Sequence, residues 1–150
     1  MIIVDLDGCI ADDRWRRHMI RPASVPIRER FHKYHLAGCR DHLCNADLVY
    51  SDDHLVVVVT SRPEWYRRLT HQWLLDWEIM PRAIIMRRDD DYRPSVEVKR
   101  DAALRLIEEH GLNGIECAYD SREDIVEMYR ELGIRAELAG YPEDDEMEVA

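Results

Sequence analysis

The chain has 150 residues, 46% of them hydrophobic and 35% charged, with 21 Lys and Arg against 31 Asp and Glu for a formal net charge of −10. That composition belongs to a folded globular chain rather than a disordered one, and the length fits one domain spanning residues 1–150. The longest apolar run, residues 55–59, is far too short to cross a bilayer, so neither a membrane span nor a membrane partner is expected.

A β-branched run at residues 1–4 predicts a buried strand that stops at Asp5. Residues 12–50 read as a helical, cap-like insertion, with helices over 15–20 and 27–36 separated by a break at Pro22–Pro26. Residues 55–59 predict a second, stronger strand. From Pro63 to Trp77 the apolar residues Trp65, Tyr66, Leu69, Trp73, Leu74 and Trp77 recur at helical steps. This aromatic stripe packs either on a sheet or against a second subunit, which leaves a homodimer open. Further strands are expected at 83–86, 115–119 and 135–138, and further helices at 98–110, ended by Gly111, and 122–132, ended by Gly133. Short apolar strands alternating with amphipathic helices predict an α/β fold with a parallel sheet covered on both faces. Residues 141–150 form an acidic tail.

The charge is unevenly spread. Residues 14–40 hold eight basic residues and one acid, whereas residues 101–150 hold four basic residues and fifteen acids. A positive segment beside the strand ends keeps anionic partners in view despite the acidic total. The four cysteines, without a secretory signal ahead of them, predict reduced thiols and a cytoplasmic location. The spacing of His35, Cys39, His42 and Cys44 matches none of the usual zinc patterns, so packing cysteines are expected there.

Parallel sheets bind ligands beyond the carboxyl ends of their strands, so the residues just past each strand matter most. Past the first lie Asp5-Leu6-Asp7-Gly8. Two carboxylates two residues apart suit Mg²⁺, a nucleophile and an acid–base group, although Asp and Gly are also plain turn residues. Past the second lie Thr60-Ser61-Arg62, which suit a phosphoryl group and equally suit a helix cap. Lys99, one of only two lysines, lies near a helix start and supplies a compact positive charge. A later strand leads into Asp120-Ser121-Arg122-Glu123-Asp124, an acidic cluster that suits either a metal or a helix N-terminus.

Taken in order, Asp-x-Asp, Thr, Lys and Asp at these places resemble the haloacid dehalogenase (HAD) superfamily of phosphotransferases, with its Rossmann-like core. The resemblance covers nearly the whole chain. It is closer to one branch, the 3′-phosphatase half of phage-type polynucleotide kinase–phosphatases, through VDLDGCIAD at 4–12, VVVTSRPEWYRRLTHQWL at 57–74, IIMRRDDDYRPSVEVKRDAAL at 84–104 and AYDSREDIVEMYRELGI at 118–134. A phage-encoded chain would work in the host cytoplasm. No Gly-x-x-x-x-Gly-Lys-Ser/Thr loop is present in these residues, so no attached kinase is expected.

The resemblance implies a Mg²⁺-dependent phosphomonoesterase with an aspartyl-phosphate intermediate. Asp5 is the implied nucleophile and Asp7 the acid and base. Asp5, the Asp7 carbonyl and Asp120 are the implied metal ligands, and Thr60 and Lys99 hold the transferring oxygens. Ser61, Arg62, Arg87, Arg93 and Arg122 are the expected substrate contacts, and the substrate is a nucleotide or a single-stranded nucleic-acid end. Two positions depart from the branch. Ser121 stands where it has a second Asp, so either Asp124 supplies the second acid or Ser121 supports the metal through water, and Ser61 stands where it has Gly. A phosphatase for free nucleoside monophosphates or other small phosphomonoesters, and a non-catalytic phosphate-binding module, are the competing readings.

Overall fold

A computed structural model describes residues 1–141. The acidic tail expected at 141–150 therefore lies outside the described residues, apart from Tyr141. Five strands form one parallel sheet: β1 (Ile2–Val4), β4 (Val56–Pro63), β5 (Ala83–Arg87), β6 (Cys117–Asp120) and β7 (Ala136–Leu138). Their order is β5-β4-β1-β6-β7, so the chain runs outward on one side of β1 and then on the other. The crevice where that direction reverses lies between β1 and β6, at the strands' carboxyl ends.

The two faces follow from the period-two alternation of the strands. Ile3, Val57 and Val59 point to one face, where helices α3 (Ser95–His110) and α4 (Glu123–Glu131) bury Ala103, Leu106, Ile125 and Met128 against them. Ile2, Val4, Val56 and Val58 point to the other, covered by Trp73 and Leu74 of α2 (Arg67–Asp76) and by Leu6, Cys9 and Ile10. The aromatic stripe thus packs its Trp73 onto the sheet and leaves Trp65 exposed.

The structure differs from the sequence expectations mainly between β1 and β4. The helix expected over 15–20 takes the 3-10 form, Arg14–Ile20, and the one expected over 27–36 forms as α1 (Ile27–Ala37). The insertion is also not purely helical. A two-stranded antiparallel ribbon, β2 (Ala11–Asp12) with β3 (His42–Leu43), closes its base. Two-residue strands carry too few alternating positions to register as a pattern. β4 runs on through Thr60, Ser61 and Arg62, and α2 starts only after a 3-10 turn at Glu64–Tyr66. Among the described residues no helix is long and apolar enough to cross a membrane.

Candidate active site

The register places the chemistry. Val4 pairs with Val58 on one side and Tyr119 on the other, so Asp5, Thr60 and Asp120 emerge together from three adjacent strands. The Asp5 N–H continues the ladder to the Tyr119 carbonyl at 2.9 Å. The chain then turns sharply, with the Leu6 carbonyl accepting the N–H groups of Cys9, Ile10 and Ala11. Gly8 makes that turn at φ +83°, where a Cβ would also come within 3.0 Å of the Ser121 hydroxyl.

Lys99, on the second turn of α3, points into the strand ends and is buried. Its Nζ donates to Asp5 Oδ1 at 2.7 Å and to Asp120 Oδ2 at 2.5 Å. One cation between two buried acids offsets the repulsion that would otherwise separate them. Burial pushes the Asp5 carboxyl up to about 7 against the pull of the Lys99 ammonium. Burial works against the ammonium too, but Asp5 and Asp120 overcome it and hold Lys99 well above its usual range.

Asp7 turns away from this triad into a cluster of arginines. Arg62 donates to it through Nε at 2.9 Å and Nη2 at 2.6 Å, a two-pronged bond, and Arg16 Nη2 adds a third at 2.6 Å. Burial alone would raise the Asp7 carboxyl, but Arg62 and then Arg16 hold it well below the usual carboxylate range. The arginines are themselves held. Arg16 donates to both oxygens of Asp41 and to the Tyr34 carbonyl, and Arg62 reaches the Thr70 hydroxyl at 3.2 Å. Asp41 also accepts from the indole of Trp15, and its carbonyl accepts from that of Trp73. Gly38, at the end of α1, lies so close to Arg62 that a Cβ there would stand 2.8 Å from its Nη2.

Arg16, Tyr34 and Asp41 carry no signal in the sequence that marks them as site residues. Arg16 reads there only as one basic residue among eight, although it is fully buried. A basic residue in a weakly patterned segment has no periodicity that marks it as interior.

The donor set fits a hard divalent cation. Asp5 and Asp120 offer carboxylate oxygens, and the Asp7 carbonyl lies 3.5 Å from the Ser121 hydroxyl, which donates toward it. Among the described residues no three His, Cys, Asp or Glu side chains gather into a metal cage. Mg²⁺ does not need one, because it keeps waters and substrate oxygens around one or two carboxylates. Asp124 is exposed on the first turn of α4 and pairs with Arg122 at 2.6 Å, apart from this set. The His35, Cys39, His42 and Cys44 side chains have separate surroundings: His35 stacks on Tyr66, Cys39 is exposed, His42 meets Trp77, and Cys44 donates to the Cys9 carbonyl.

These groups open into a cavity of about 1150 Å³, roofed by α1 and walled by the loop after β5. Thr60 lines it, its hydroxyl accepting the Arg62 N–H at 3.2 Å. Ser61 lines it with a buried hydroxyl that has no hydrogen-bond partner among the described residues. The remaining expected contacts are engaged within the fold. Arg87 frames the loop, donating to the carbonyls of Ser61, Asp91 and Arg93 and to the Ser95 hydroxyl. Arg93 pairs with Asp91 and Asp101.

A family model for the polynucleotide kinase PNKP phosphatase domain matches residues 1–138. Among solved structures, a chain of the Pnkp1/Rnl/Hen1 complex superposes with a TM-score of 0.67 at 22% identity, over 93% of this chain and 45% of that one. A chain of the Pnkp1/Rnl/Hen1 RNA repair complex gives 0.66 at 21% identity, over 95% and 42%. This chain therefore spans less than half the length of either, and at these identities the likeness is one of fold. No match was found among the curated proteins.

Proposed function

The chain belongs to the PNKP phosphatase-domain family, and from that premise we propose that it is a Mg²⁺-dependent phosphatase of polynucleotide ends, removing a 3′-phosphate through a phosphorylated Asp5. The observation that carries this reading is the Lys99 ammonium held between Asp5 and Asp120 at adjacent strand ends. The triad gathers a nucleophilic carboxylate, a metal-binding carboxylate and a cation for the transferring oxygens at one point.

Asp5 attacks phosphorus as a carboxylate, and the bond to the 3′-oxygen breaks. Mg²⁺, held when bound by Asp5, Asp120 and the Asp7 carbonyl, supplies positive charge beside the phosphoryl oxygens. Lys99 and the Thr60 hydroxyl hold those oxygens from the protein side. The proton that the leaving oxygen takes is brought by the substrate and passed on by Asp7. Because Arg62 and Arg16 keep Asp7 ionised, that proton comes from a singly protonated phosphate ester, whose second ionisation lies near ~6. In the second step Asp7, again an anion, accepts a proton from the water that attacks phosphorus and frees Asp5. The arginines hold Asp7 in one orientation for both steps.

The test is phosphate release from an oligonucleotide phosphorylated at its 3′ end, compared with one phosphorylated at its 5′ end. Release from the 3′ end with Mg²⁺, abolished in Asp5→Asn, is expected. Absence of release from either substrate would overturn the reading.

A further inference from the structure

Five of the six Lys and Arg side chains lining the cavity are engaged within the fold. Arg62 and Lys99 hold acids of the site, Arg93 and Arg122 pair with neighbouring aspartates, and Arg87 is surrounded by carbonyls. Arg28, on the exposed first turn of α1, is the exception. Among the described residues its guanidinium has no carboxylate partner, and its one hydrogen bond is to the neutral Tyr92 hydroxyl at 3.1 Å. That bond crosses the cavity mouth, from the insertion to the loop after β5. Tyr92 is 76% exposed, and Trp65, on the same cavity wall, is 75% exposed. The Trp65 N–H donates to Asp89 Oδ1 at 2.8 Å, which ties its turn to the Tyr92 loop. A guanidinium with no carboxylate partner among the described residues, together with two exposed rings on the same cavity lining, is the chemistry that holds a single strand: charge for a phosphodiester, flat faces for bases.

We propose that Arg28, Tyr92 and Trp65 form a second-nucleotide subsite, which takes the phosphodiester and base immediately 5′ of the terminal phosphorylated nucleotide. The inference rests on the phosphatase reading above and extends it from the reacting phosphate to the strand behind it. A mononucleotide reaches the triad but not the mouth, so the subsite separates strand ends from free nucleotides. Both rings are exposed and Arg28 carries no buried contact, so substitution there leaves the core untouched.

The test compares KM and kcat for 3′-phosphorylated hexanucleotides, DNA and RNA in separate arms, with those for a mononucleoside 3′-phosphate. R28Q and W65A are measured against R105Q, which removes the same charge from a residue outside the cavity. R28Q and W65A are each expected to raise KM for at least one hexanucleotide by about fivefold or more at near-constant kcat. The mononucleoside KM should move by less than about twofold. R28Q should also lower the salt slope of log KM by about 0.7, one phosphate contact on a single strand. Equal effects on hexanucleotide and mononucleoside, or no effect on either strand type, would overturn the subsite. If the unaltered protein releases phosphate from none of them, the phosphatase reading fails by itself. Fluorescence anisotropy with a labelled 3′-phosphorylated hexanucleotide then decides the subsite, weaker binding by R28Q supporting it and unchanged binding overturning it.

Discussion

Arg62 meets Asp7 with two nitrogens at once, Nε at 2.9 Å and Nη2 at 2.6 Å, in a site where Arg62 is buried. A planar fork on a carboxylate fixes its orientation as a single ammonium cannot. Arg62→Lys should therefore keep the charge and lose the geometry. On the order of a hundredfold loss in kcat with little change in KM is expected, the effect of misplacing an acid–base group by about an ångström. Steady-state kinetics on a 3′-phosphorylated oligonucleotide measures this, and a kcat within threefold of the parent would contradict the positioning role.

Lys99 also bears on the fold, apart from its proposed role in the reaction. Replacing it with Met leaves the buried carboxyls of Asp5 and Asp120 facing each other without a cation. Breaking a buried ion pair from one side costs about 3–5 kcal/mol, and urea unfolding in metal-free buffer should show a loss of that size. Asp5→Asn should lose less, because Lys99 keeps Asp120. An unchanged urea midpoint for Lys99→Met would show that the triad adds nothing to stability.

How far the sequence revealed this site depended on how each residue enters it. Asp5 and Asp120 directly succeed apolar runs, and Lys99 sits on a helix with a clear stripe, so chain order and strand ends located all three. Arg16 and Asp41 meet across 25 residues, in a segment whose 3-10 helix and two-residue strands carry no usable period. Arg87 enters the sequence reading as a substrate contact only through the family resemblance. The carbonyls that surround it belong to a loop whose path no local pattern encodes. Arg28 reads as one charge of the positive segment, but that it meets no carboxylate among the described residues is a property of the assembled fold.

His35 supplies a pH-dependent part of the stability. Burial lowers its pKa from 6.5 to about 4, and although Asp7 opposes this, the charges of Arg62, Arg16 and Arg87 reinforce it. Such a histidine binds its proton more readily in the unfolded chain. Its contribution is therefore intact above about 6.5 and is lost as the pH falls toward 4. The loss amounts to about 3.5 kcal/mol at most, given roughly 1.4 kcal/mol per unit. Unfolding free energies measured from pH 7 to 4 should fall less steeply for His35→Phe than for the parent. Parallel curves would show that His35 is not the group responsible.

The central claim is that Asp5 carries the phosphoryl group between the two steps. Its most direct test is acid quenching of a single turnover on a 3′-phosphorylated oligonucleotide, with peptide mapping of the quenched protein by mass. One phosphoryl group on the peptide containing Asp5, absent from Asp5→Asn, is the expected result. Full phosphate release without any phosphorylated protein at any quench time, or a phosphoryl group on another residue, would contradict it.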